Sequence, residues 1–339
     1  MKENLKVSII VPIYNVEAYV EKCLISLINQ TYNNIVVYAI SDGSPDNSIN
    51  IAKKLADKDK RIVCIEKENG GYGSVLEYAI NIIETKYFMI CDPDDWLEED
   101  AVDVLLNTAE SNNLDLVIGD KFLIYDNCSQ KYKCDSNIDH KLILANKLYE
   151  NDDVYKLAVL HASPHSKLYK TDLVRKLIFP KKVSYTDLYL YLNILNNSKR
   201  AMYINKYLSN YLIERVGNTT TDKSLKSLRA QITVFNSSFK SIKHNPYFMW
   251  KLYEQYRYGC IDILSHFDMV NYNEIEDEIN CINCLKQYKK EIKKVMKYNS
   301  IVKTIYNKII IEFLFNEKSR RKCIDFIIKV SKRKINEKR

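Results

Sequence analysis

The chain has 339 residues, 46% of them hydrophobic, and a formal net charge of +8. This length exceeds one ordinary hydrophobic core and predicts a main domain plus an extension, or two domains. No apolar run approaches the ~18 residues that span a bilayer, and the N-terminus lacks a signal pattern, so we expect a cytoplasmic protein without a membrane span. Nine cysteines without regular spacing favour reduced thiols over a disulfide framework.

Strands and helices alternate through the first hundred residues. Residues 5–13 are nearly continuous in β-branched side chains, which is typical of a central parallel strand, and residues 17–29 place apolar side chains at helical spacing. Three further strands, each separated from the next by a helical pattern, are predicted over residues 35–40, 61–66 and 87–91. This alternation predicts a mostly parallel, Rossmann-like sheet with helices on both faces.

The pattern changes after residue 100. A helix precedes a strand predicted over residues 115–126, and residues 128–149 are expected to be irregular. Further elements are predicted in the order helix 152–159, helix 185–195, strand 201–204 and strand 207–213. From about residue 223 the sequence predicts an almost wholly helical region.

Basic charge is concentrated at the C-terminal end. Residues 286–339 hold 18 Lys and Arg against 5 Asp and Glu, which leaves a net −5 for the residues before them. A basic tail on a mildly acidic body indicates an anionic surface as partner, either membrane lipid or nucleic acid.

Three carboxylates follow the strand predicted at 87–91. Asp92, Asp94 and Asp95 stand within four residues, and like charges at the end of an apolar strand are costly unless a cation lies among them. One Asp there needs no more explanation than the start of a helix, but three do. The cluster therefore predicts a divalent metal that carries a phosphorylated ligand.

The other strand ends carry residues suited to a nucleotide. A single strand end of this kind is weak evidence, since each also fits a plain turn. Four successive parallel strands, however, bring their carboxyl ends together. The candidate residues are Pro12, Tyr14 and Asn15 after the first strand, Asp42 after the second, and Asn69, Gly70, Gly71 and Gly73 after the third.

These motifs resemble a known family. The runs VSIIVPIYNVEAYVEKCLISLINQTY, ISDGSPDNS, NGGYGS and CDPDDW are similar to the nucleotide-sugar domain of family 2 glycosyltransferases. The resemblance is strong over the first third of the chain and weaker to about residue 215. It implies a GT-A fold and inverting transfer of a sugar from a nucleoside diphosphate, with Mg²⁺ or Mn²⁺.

The resemblance also implies roles for individual residues. Pro12 and Tyr14 match positions beside the base, and Asp42 matches the acid that contacts the base or its ribose. Asp92, Asp94 and Asp95 match the DxD signature that holds the metal on the diphosphate, with Asp92 also a candidate for the ribose. Two positions depart from the family pattern, namely Ser41 in the DGS turn and the triplet Leu76, Glu77, Tyr78.

Asp187 is the candidate catalytic base. The family usually supplies the base from a Glu-Asp pair at the start of a helix, and FPKKVSYTDLYLYL places Thr186 and Asp187 there. Without the resemblance, an Asp that interacts with the helix dipole would be favoured. Arg215 is expected to reach the diphosphate.

Together these observations predict a glycosyltransferase. The expected donor is a nucleoside diphosphate sugar with UDP as its nucleotide, and the expected acceptor is a surface glycan or a lipid-linked molecule. The basic tail is expected on the inner face of the plasma membrane. Residues 1–217 are expected to form the GT-A domain, of which 1–110 bind the donor and 111–217 form the acceptor side, and residues 218–339 the helical region. The alternatives are a nucleotidyltransferase and a non-catalytic protein that binds nucleotide or nucleic acid, although no nucleic-acid partner is expected.

Overall fold

The structure, a computed structural model, describes residues 6–125, 130–135, 142–213, 215, 222–264, 272–296 and 301–336. The chain divides into two compact units. The first contains residues 1–138 and 143–218, and the second contains residues 139–142 and 219–339. The boundary predicted near residue 217 falls outside the described residues.

One mixed sheet forms the centre of the first unit. Its described strands lie in the order β3-β2-β1-β4-β9-β6-β10-β5, with β7 paired to β6 and β8 to β10. Strands β1 to β4 are mutually parallel, and β9 joins β4 to β6 with antiparallel pairing on both sides. The strands are β1 (Val7–Ile13), β2 (Ile35–Asp42), β3 (Ile62–Lys67), β4 (Tyr87–Ile90), β5 (Trp96–Leu97), β6 (Leu116–Tyr125), β7 (Tyr132–Cys134), β8 (Leu148–Glu150), β9 (Lys167–Lys170) and β10 (Arg200–Ile213).

Helices cover both faces of this sheet. On one face, the apolar stripe of the first helix (Val20, Cys23, Leu24 and Leu27) packs against alternate residues of β1 and β2, because side chains of a strand alternate between faces. The helices are α1 (Val20–Ile28), α2 (Ser48–Ala56), α3 (Tyr72–Ile82), α4 (Ala101–Asn112) and α5 (Thr186–Asn197), with 3₁₀ segments at Asn151–Val159 and Thr171–Leu173. The predicted α/β class, a sheet with helices on both faces followed by a helical region, is confirmed.

Three details of the sheet differ from the sequence prediction. β9 was not predicted, because its four residues KLYK show no alternation and pair only through neighbours distant in sequence. Residues 128–149, expected to be irregular, contain β7 and β8. The two strands predicted over 201–213 are one strand, β10, whose pairing with β6 shifts register around Tyr207.

The second unit is helical, as predicted. Its helix starts carry ordinary caps: the Ser224 hydroxyl accepts from the Ser227 amide at 3.2 Å, and Asn245 accepts from two amides with Pro246 at the first helical position. No helix in the described part of the chain is long and apolar enough to cross a bilayer. The helices are α6 (Leu225–Ser241), α7 (Pro246–Gln255), α8 (Ile261–Leu264), α9 (Glu276–Asn280), α10 (Lys289–Met296), α11 (Ile301–Leu314) and α12 (Glu317–Asn336), with a π-helical turn at Tyr256–Cys260 and a 3₁₀ segment at Cys281–Tyr288.

Candidate functional site

The carboxyl ends of β1, β2 and β4 lie side by side in the sheet, and the candidate residues are found there. Pro12 is buried within β1, whereas Tyr14, the first residue after β1, is 50% exposed. Asn15 adopts a left-handed conformation (φ 54°), and its amide donates to the Ser44 hydroxyl at 2.8 Å. The β1 and β2 turns are therefore tied together, and an exposed aromatic ring stands beside them.

Asp42, at the end of β2, organises the glycine-rich loop. Its carboxylate accepts from the Lys67 ammonium at 2.6 Å and from the amides of Gly70 and Gly71 at 3.0 and 2.8 Å. The Asn69 side chain donates to the Asp42 carbonyl at 2.9 Å. Both carboxylate oxygens thus hold this chain's own loop.

The glycine-rich loop also packs against the segment that leads into α5. Gly71 has φ +85°, and a Cβ there would lie 3.0 Å from the Lys182 backbone. A Cβ on Gly73 would lie 2.8 Å from the Pro180 carbonyl oxygen and 3.1 Å from Thr186 Cγ2. The Lys182 amide donates to the Gly70 carbonyl at 2.7 Å. The close approach that glycine permits here is made to another segment of the chain.

Asp92, directly after β4, is partly buried and hydrogen-bonded to Tyr72. The Tyr72 hydroxyl donates to Asp92 Oδ1 at 2.8 Å. Burial, and then the negative charge of Asp94, raise the pKa of Asp92 to about 7, although the Tyr72 hydrogen bond opposes that rise. Asp92 is therefore poised to gain or lose a proton near neutral pH.

Asp94 forms an ion pair with Arg215. The Arg215 Nε donates to Asp94 Oδ2, and its guanidinium carbon lies 5.3 Å from the centroid of the Tyr19 ring. A cavity of about 260 Å³ opens beside Asp94, with Tyr19, Lys22 and Trp96 in its walls. A cation of the protein itself compensates the Asp94 charge.

Asp95 is buried and fully engaged. One carboxylate oxygen lies 2.6 Å from His165 Nε2, and the other accepts from the Leu212 amide at 2.8 Å. Burial raises the pKa of Asp95, whereas burial and then the nearby Lys121 charge lower the pKa of His165. Both shifts favour the neutral forms of the two side chains.

Lys121 is a buried lysine beside the Asp95–His165 pair. Lys121 Nζ donates to the Ser163 hydroxyl at 3.0 Å, lies 3.4 Å from His165 Nδ1 and faces the Tyr211 ring at 4.6 Å. Burial lowers the pKa of Lys121, and nearby negative groups such as Asp95 oppose that shift. The acid cluster thus has a positive neighbour inside the fold.

Asp187 lies at the start of α5 and is partly buried. It stands in the first turn of α5, after Tyr185 in a left-handed conformation (φ 67°). Burial raises the pKa of Asp187, while the Leu188 amide and then the Lys167 charge lower it. Asp187 also contributes to the raised pKa of Asp92, which places the two carboxylates within electrostatic reach of one another.

The acid cluster offers the donors that a hard divalent cation prefers. Metal-binding atoms of Asp92, Asp95 and His165 lie within 4.8 Å of one another. His165 Nε2 is paired with Asp95, whereas within the described part of the chain one carboxylate oxygen on each of Asp92 and Asp94 has no hydrogen-bond partner. Carboxylate oxygens of this kind are suitable ligands for Mg²⁺ or Mn²⁺, so the residues present fit a metal.

Several residues of the site escaped the sequence prediction. The structure adds Tyr72 and Lys67 beside the donor-side acids and Lys121 and Lys167 beside Asp95 and Asp187. Lys167 is buried in β9, where it donates to the Ser163 carbonyl and faces the Tyr191 ring at 5.2 Å. The available signal was a lysine inside an apolar stretch, as in GDKFLIY and SKLYK, because such a lysine needs a partner.

Comparisons with known proteins point to one family. The family described as "Glycosyl transferase family 2" matches residues 8–178. The glycosyltransferase GlyA of Streptococcus pneumoniae is 30% identical over 305 residues, which cover 86% of this chain and 43% of GlyA. The minor teichoic acid biosynthesis protein GgaB of Bacillus subtilis is 39% identical over 119 residues, which cover 34% of this chain and 13% of GgaB. The chain thus spans less than half the length of these relatives.

Solved structures share the fold. TarS 1-349 from S. aureus, in complex with UDP-GlcNAc, superposes with a TM-score of 0.69 at 15% identity, covering 97% of this chain and 92% of that one. The mannosyltransferase PcManGT from Pyrobaculum calidifontis, in complex with GDP-Man and Mn²⁺, gives 0.54 at 14% identity, covering 90% and 87%. At these identities the likeness is one of fold.

Proposed function

Because the chain belongs to glycosyl transferase family 2, we propose that it transfers a sugar, with inversion, from a nucleoside diphosphate sugar to a hydroxyl of a surface glycan or lipid-linked acceptor. One observation carries this proposal. Three carboxylates cluster after β4 on the donor side, and a separate partly buried carboxylate, Asp187, lies within electrostatic reach of them. A transferase of this type needs both a diphosphate site and a distinct base.

The donor is proposed to bind along the ends of β1, β2 and β3. Pro12, Tyr14 and Asn15 would flank the base, and Asp42 would contact the base or its ribose. Asp42 also holds in place the loop of Asn69, Gly70, Gly71 and Gly73, which would lie beside the donor. TarS has been crystallised with UDP-GlcNAc and with UDP, which favours uridine as the nucleoside here. In this scheme residues 1–110 bind the donor, residues 111–217 form the acceptor side and residues 218–339 form the helical region.

A divalent cation, Mg²⁺ or Mn²⁺, is proposed to be held by Asp92 and Asp94, with Asp95 behind them. When bound, such an ion neutralises the charge that develops on the departing diphosphate. Both oxygens of Asp95 already have partners, so its main task would be to fix the loop through His165 and Leu212. Arg215, released from Asp94, would contact the diphosphate.

Asp187 is proposed as the base. The acceptor hydroxyl would give its proton to the Asp187 carboxylate while its oxygen bonds to the anomeric carbon. The bond from that carbon to the diphosphate oxygen would break on the opposite side, so the configuration inverts. Burial raises the pKa of Asp187, and a carboxylate with a raised pKa is a better proton acceptor.

The acceptor is proposed to be presented at a membrane surface. The C-terminal region is basic, and Ile309, Phe313 and Phe326 expose 52%, 47% and 61% of their area. Basic helices with exposed apolar side chains bind the interface of anionic membranes. The inner face of the plasma membrane would then bring the enzyme to a lipid-linked acceptor.

A donor screen tests the central proposal. Nucleoside diphosphate sugars would be added with Mn²⁺, and thermal stabilisation and slow donor hydrolysis would be measured. We expect at least one uridine diphosphate sugar to stabilise the chain in a metal-dependent way, with Asp94→Asn as the inactive comparison. If no nucleoside diphosphate or its sugar stabilises the wild-type protein, the proposal fails.

A further inference from the structure

The first turns of α12, in the second unit, carry an unusual concentration of positive charge. Four of the five residues from 318 to 322 are cations: Lys318, Arg320, Arg321 and Lys322. Peptide dipoles make the N-terminal end of a helix positive, so acids are favoured there and cations are unfavourable. Glu317 alone follows the rule. The arrangement costs free energy unless an anion lies nearby.

Arg320 is the buried member of this group. Its side chain is about 1% exposed, and its guanidinium donates to the Leu314 carbonyl at 2.6 Å and to the side-chain oxygens of Asn280 and Asn283. In the described part of the chain, no carboxylate forms an ion pair with it. Its acceptors are therefore neutral groups, although the carbonyl at the end of α11 carries a partial negative charge. A buried charge with neutral partners alone is costly.

A cavity of about 390 Å³ lies against these cations, and we call it the α12 cavity. Arg320, Lys318 and Arg321 line it together with Asn280 and Asn283. A cavity of this volume accommodates a small phosphorylated group.

Two acids also line the α12 cavity, but each already has a cation. Glu276 pairs with Arg321 at 3.8 Å, and Glu317 pairs with Lys286 at 4.0 Å. Within the described residues, Arg320 and Lys318 therefore supply the positive charge of the α12 cavity that no ion pair balances.

We propose that the α12 cavity binds a phosphate group, held by Arg320 in the wall, by Lys318 and Arg321 at the rim, and by the positive end of α12. Arginine forks match phosphate oxygens. The amides of Lys318, Ser319 and Arg320 already donate to Asn316, so the start of α12 contributes through its dipole. The site lies within the second unit and goes beyond the proposed transfer reaction, whose residues all belong to the first unit. The phosphate can belong to a free phosphorylated compound or to a lipid headgroup.

A purely structural role for Arg320 makes a different prediction. In that role its bonds to Leu314, Asn280 and Asn283 would only join the end of α11 to the end of α9 and to the 3₁₀ segment Cys281–Tyr288. That role does not require cations at the rim. Substitutions at the rim therefore separate the two explanations and leave the buried side chain in place.

The first experiment uses inorganic phosphate on the full chain. Hydrogen exchange is measured by mass spectrometry with and without phosphate, at constant ionic strength. We expect saturable protection of residues 276–283 and 317–321, with phosphate affinity about five- to tenfold weaker in Lys318→Gln and in Arg321→Gln. Lys329→Gln, an exposed lysine of the same helix, is the matched control and should bind phosphate like the wild type. Absence of local protection by phosphate in the wild-type chain overturns the proposal, whether or not the variants fold.

The second experiment identifies the source of the phosphate. Flotation compares vesicles of phosphatidylcholine containing phosphatidic acid with vesicles given the same surface charge by oleic acid. Preference for phosphatidic acid that inorganic phosphate competes away, and that Lys318→Gln abolishes, assigns the site to a lipid headgroup. Equal binding to both vesicles, with phosphate protection intact, assigns it to a free phosphate compound. If Lys318→Gln and Lys329→Gln lose phosphate affinity equally, phosphate is attracted by the overall charge of the helix, and the proposed site is overturned.

Discussion

The Tyr72 hydroxyl donates a hydrogen bond of 2.8 Å to Asp92, the carboxyl whose pKa lies at about 7. This bond favours the charged form of Asp92. It therefore extends to lower pH the range in which the acid cluster can hold a cation, since a carboxyl must lose its proton to bind one.

Metal affinity is expected to rise with pH across neutrality and to depend on Tyr72. Below its pKa of about 7, Asp92 holds a proton that Mn²⁺ must displace. Tyr72→Phe removes the bond that lowers this pKa, so Mn²⁺ affinity at pH 7 should fall about three- to tenfold and the profile should move to higher pH. Calorimetry in buffers of different ionisation enthalpy measures both affinity and proton release. Tyr78→Phe, at an exposed position of the same helix, is the control, and an unshifted profile for Tyr72→Phe would contradict the prediction.

Asp92→Asn is expected to stabilise the metal-free protein above neutral pH. The folded pKa of Asp92, about 7, lies above its ordinary value. The native state therefore binds more protons than the unfolded state between these values, and its stability falls as pH rises through that range. At pH 8 Asn at this position should raise the free energy of unfolding by on the order of 1–3 kcal/mol, and at pH 5 by much less. Urea unfolding with a chelator measures both. Asp57→Asn, on the surface, is the comparison, and a difference independent of pH would rule this explanation out.

Arg215→Gln is expected to change metal and nucleotide binding in opposite directions. In the wild-type chain Arg215 is paired with Asp94, so an ion must displace it. Without the guanidinium, Mn²⁺ affinity in the absence of nucleotide should rise several-fold, whereas UDP affinity at saturating Mn²⁺ should fall by about tenfold. Electron paramagnetic resonance titration of Mn²⁺ follows the first effect and calorimetry the second. Lys86→Gln, which breaks a surface ion pair, should alter neither affinity. If Arg215→Gln changed both affinities in the same direction, the proposed movement of Arg215 from Asp94 to the diphosphate would be refuted.

Asp187→Asn is expected to separate donor binding from transfer. Asn cannot accept the acceptor proton, so transfer should fall by about 10² to 10⁴. Affinity for UDP and Mn²⁺ should stay within a few-fold of wild type, since Asp187 is proposed to contact the acceptor and neither the metal nor the nucleotide. Asp172→Asn, whose side chain is 78% exposed, serves as the control. Transfer retained within tenfold would exclude Asp187 as the base.

Gly73→Ala is expected to impair turnover more than donor affinity. A Cβ at this position lies 2.8 Å from the Pro180 carbonyl oxygen, so the segment before α5 must move. We expect a loss of about 1–3 kcal/mol in the free energy of unfolding and a larger fall in kcat than in donor affinity, because that segment positions Asp187. Asn81→Ala, at an exposed position of α3, is the matched control. A donor affinity that falls while kcat is unchanged would contradict the argument.

The sequence predicted the parts of this fold that depend on neighbouring residues. The β-branched run of β1 and the helical spacing of Val20, Cys23, Leu24 and Leu27 are local patterns, and both were placed correctly. The turn from β4 into Asp92, Asp94 and Asp95 was also visible, since like charges after an apolar strand stand out.

The parts that depend on distant partners were not visible. β9 exists because β4 and β6 offer hydrogen-bond partners on both sides of it. Tyr72 reaches Asp92 across 20 residues of sequence, and Lys121 reaches His165 across 44. Nothing in the local pattern around Asp42 indicates that Gly70, Gly71 and Lys67 use its carboxylate.

The contact between the glycine-rich loop and the segment before α5 limits how this enzyme type can be recombined. Gly71 and Gly73 lie so close to Pro180 and Lys182 that a Cβ on either glycine would come within 3.0 Å of that backbone. A hybrid that takes its donor half from one parent and its acceptor half from another would therefore inherit two surfaces that evolved separately. Exchange of acceptor halves should succeed when residues 69–74 and 179–187 come from the same parent, and the crossover point should be chosen accordingly.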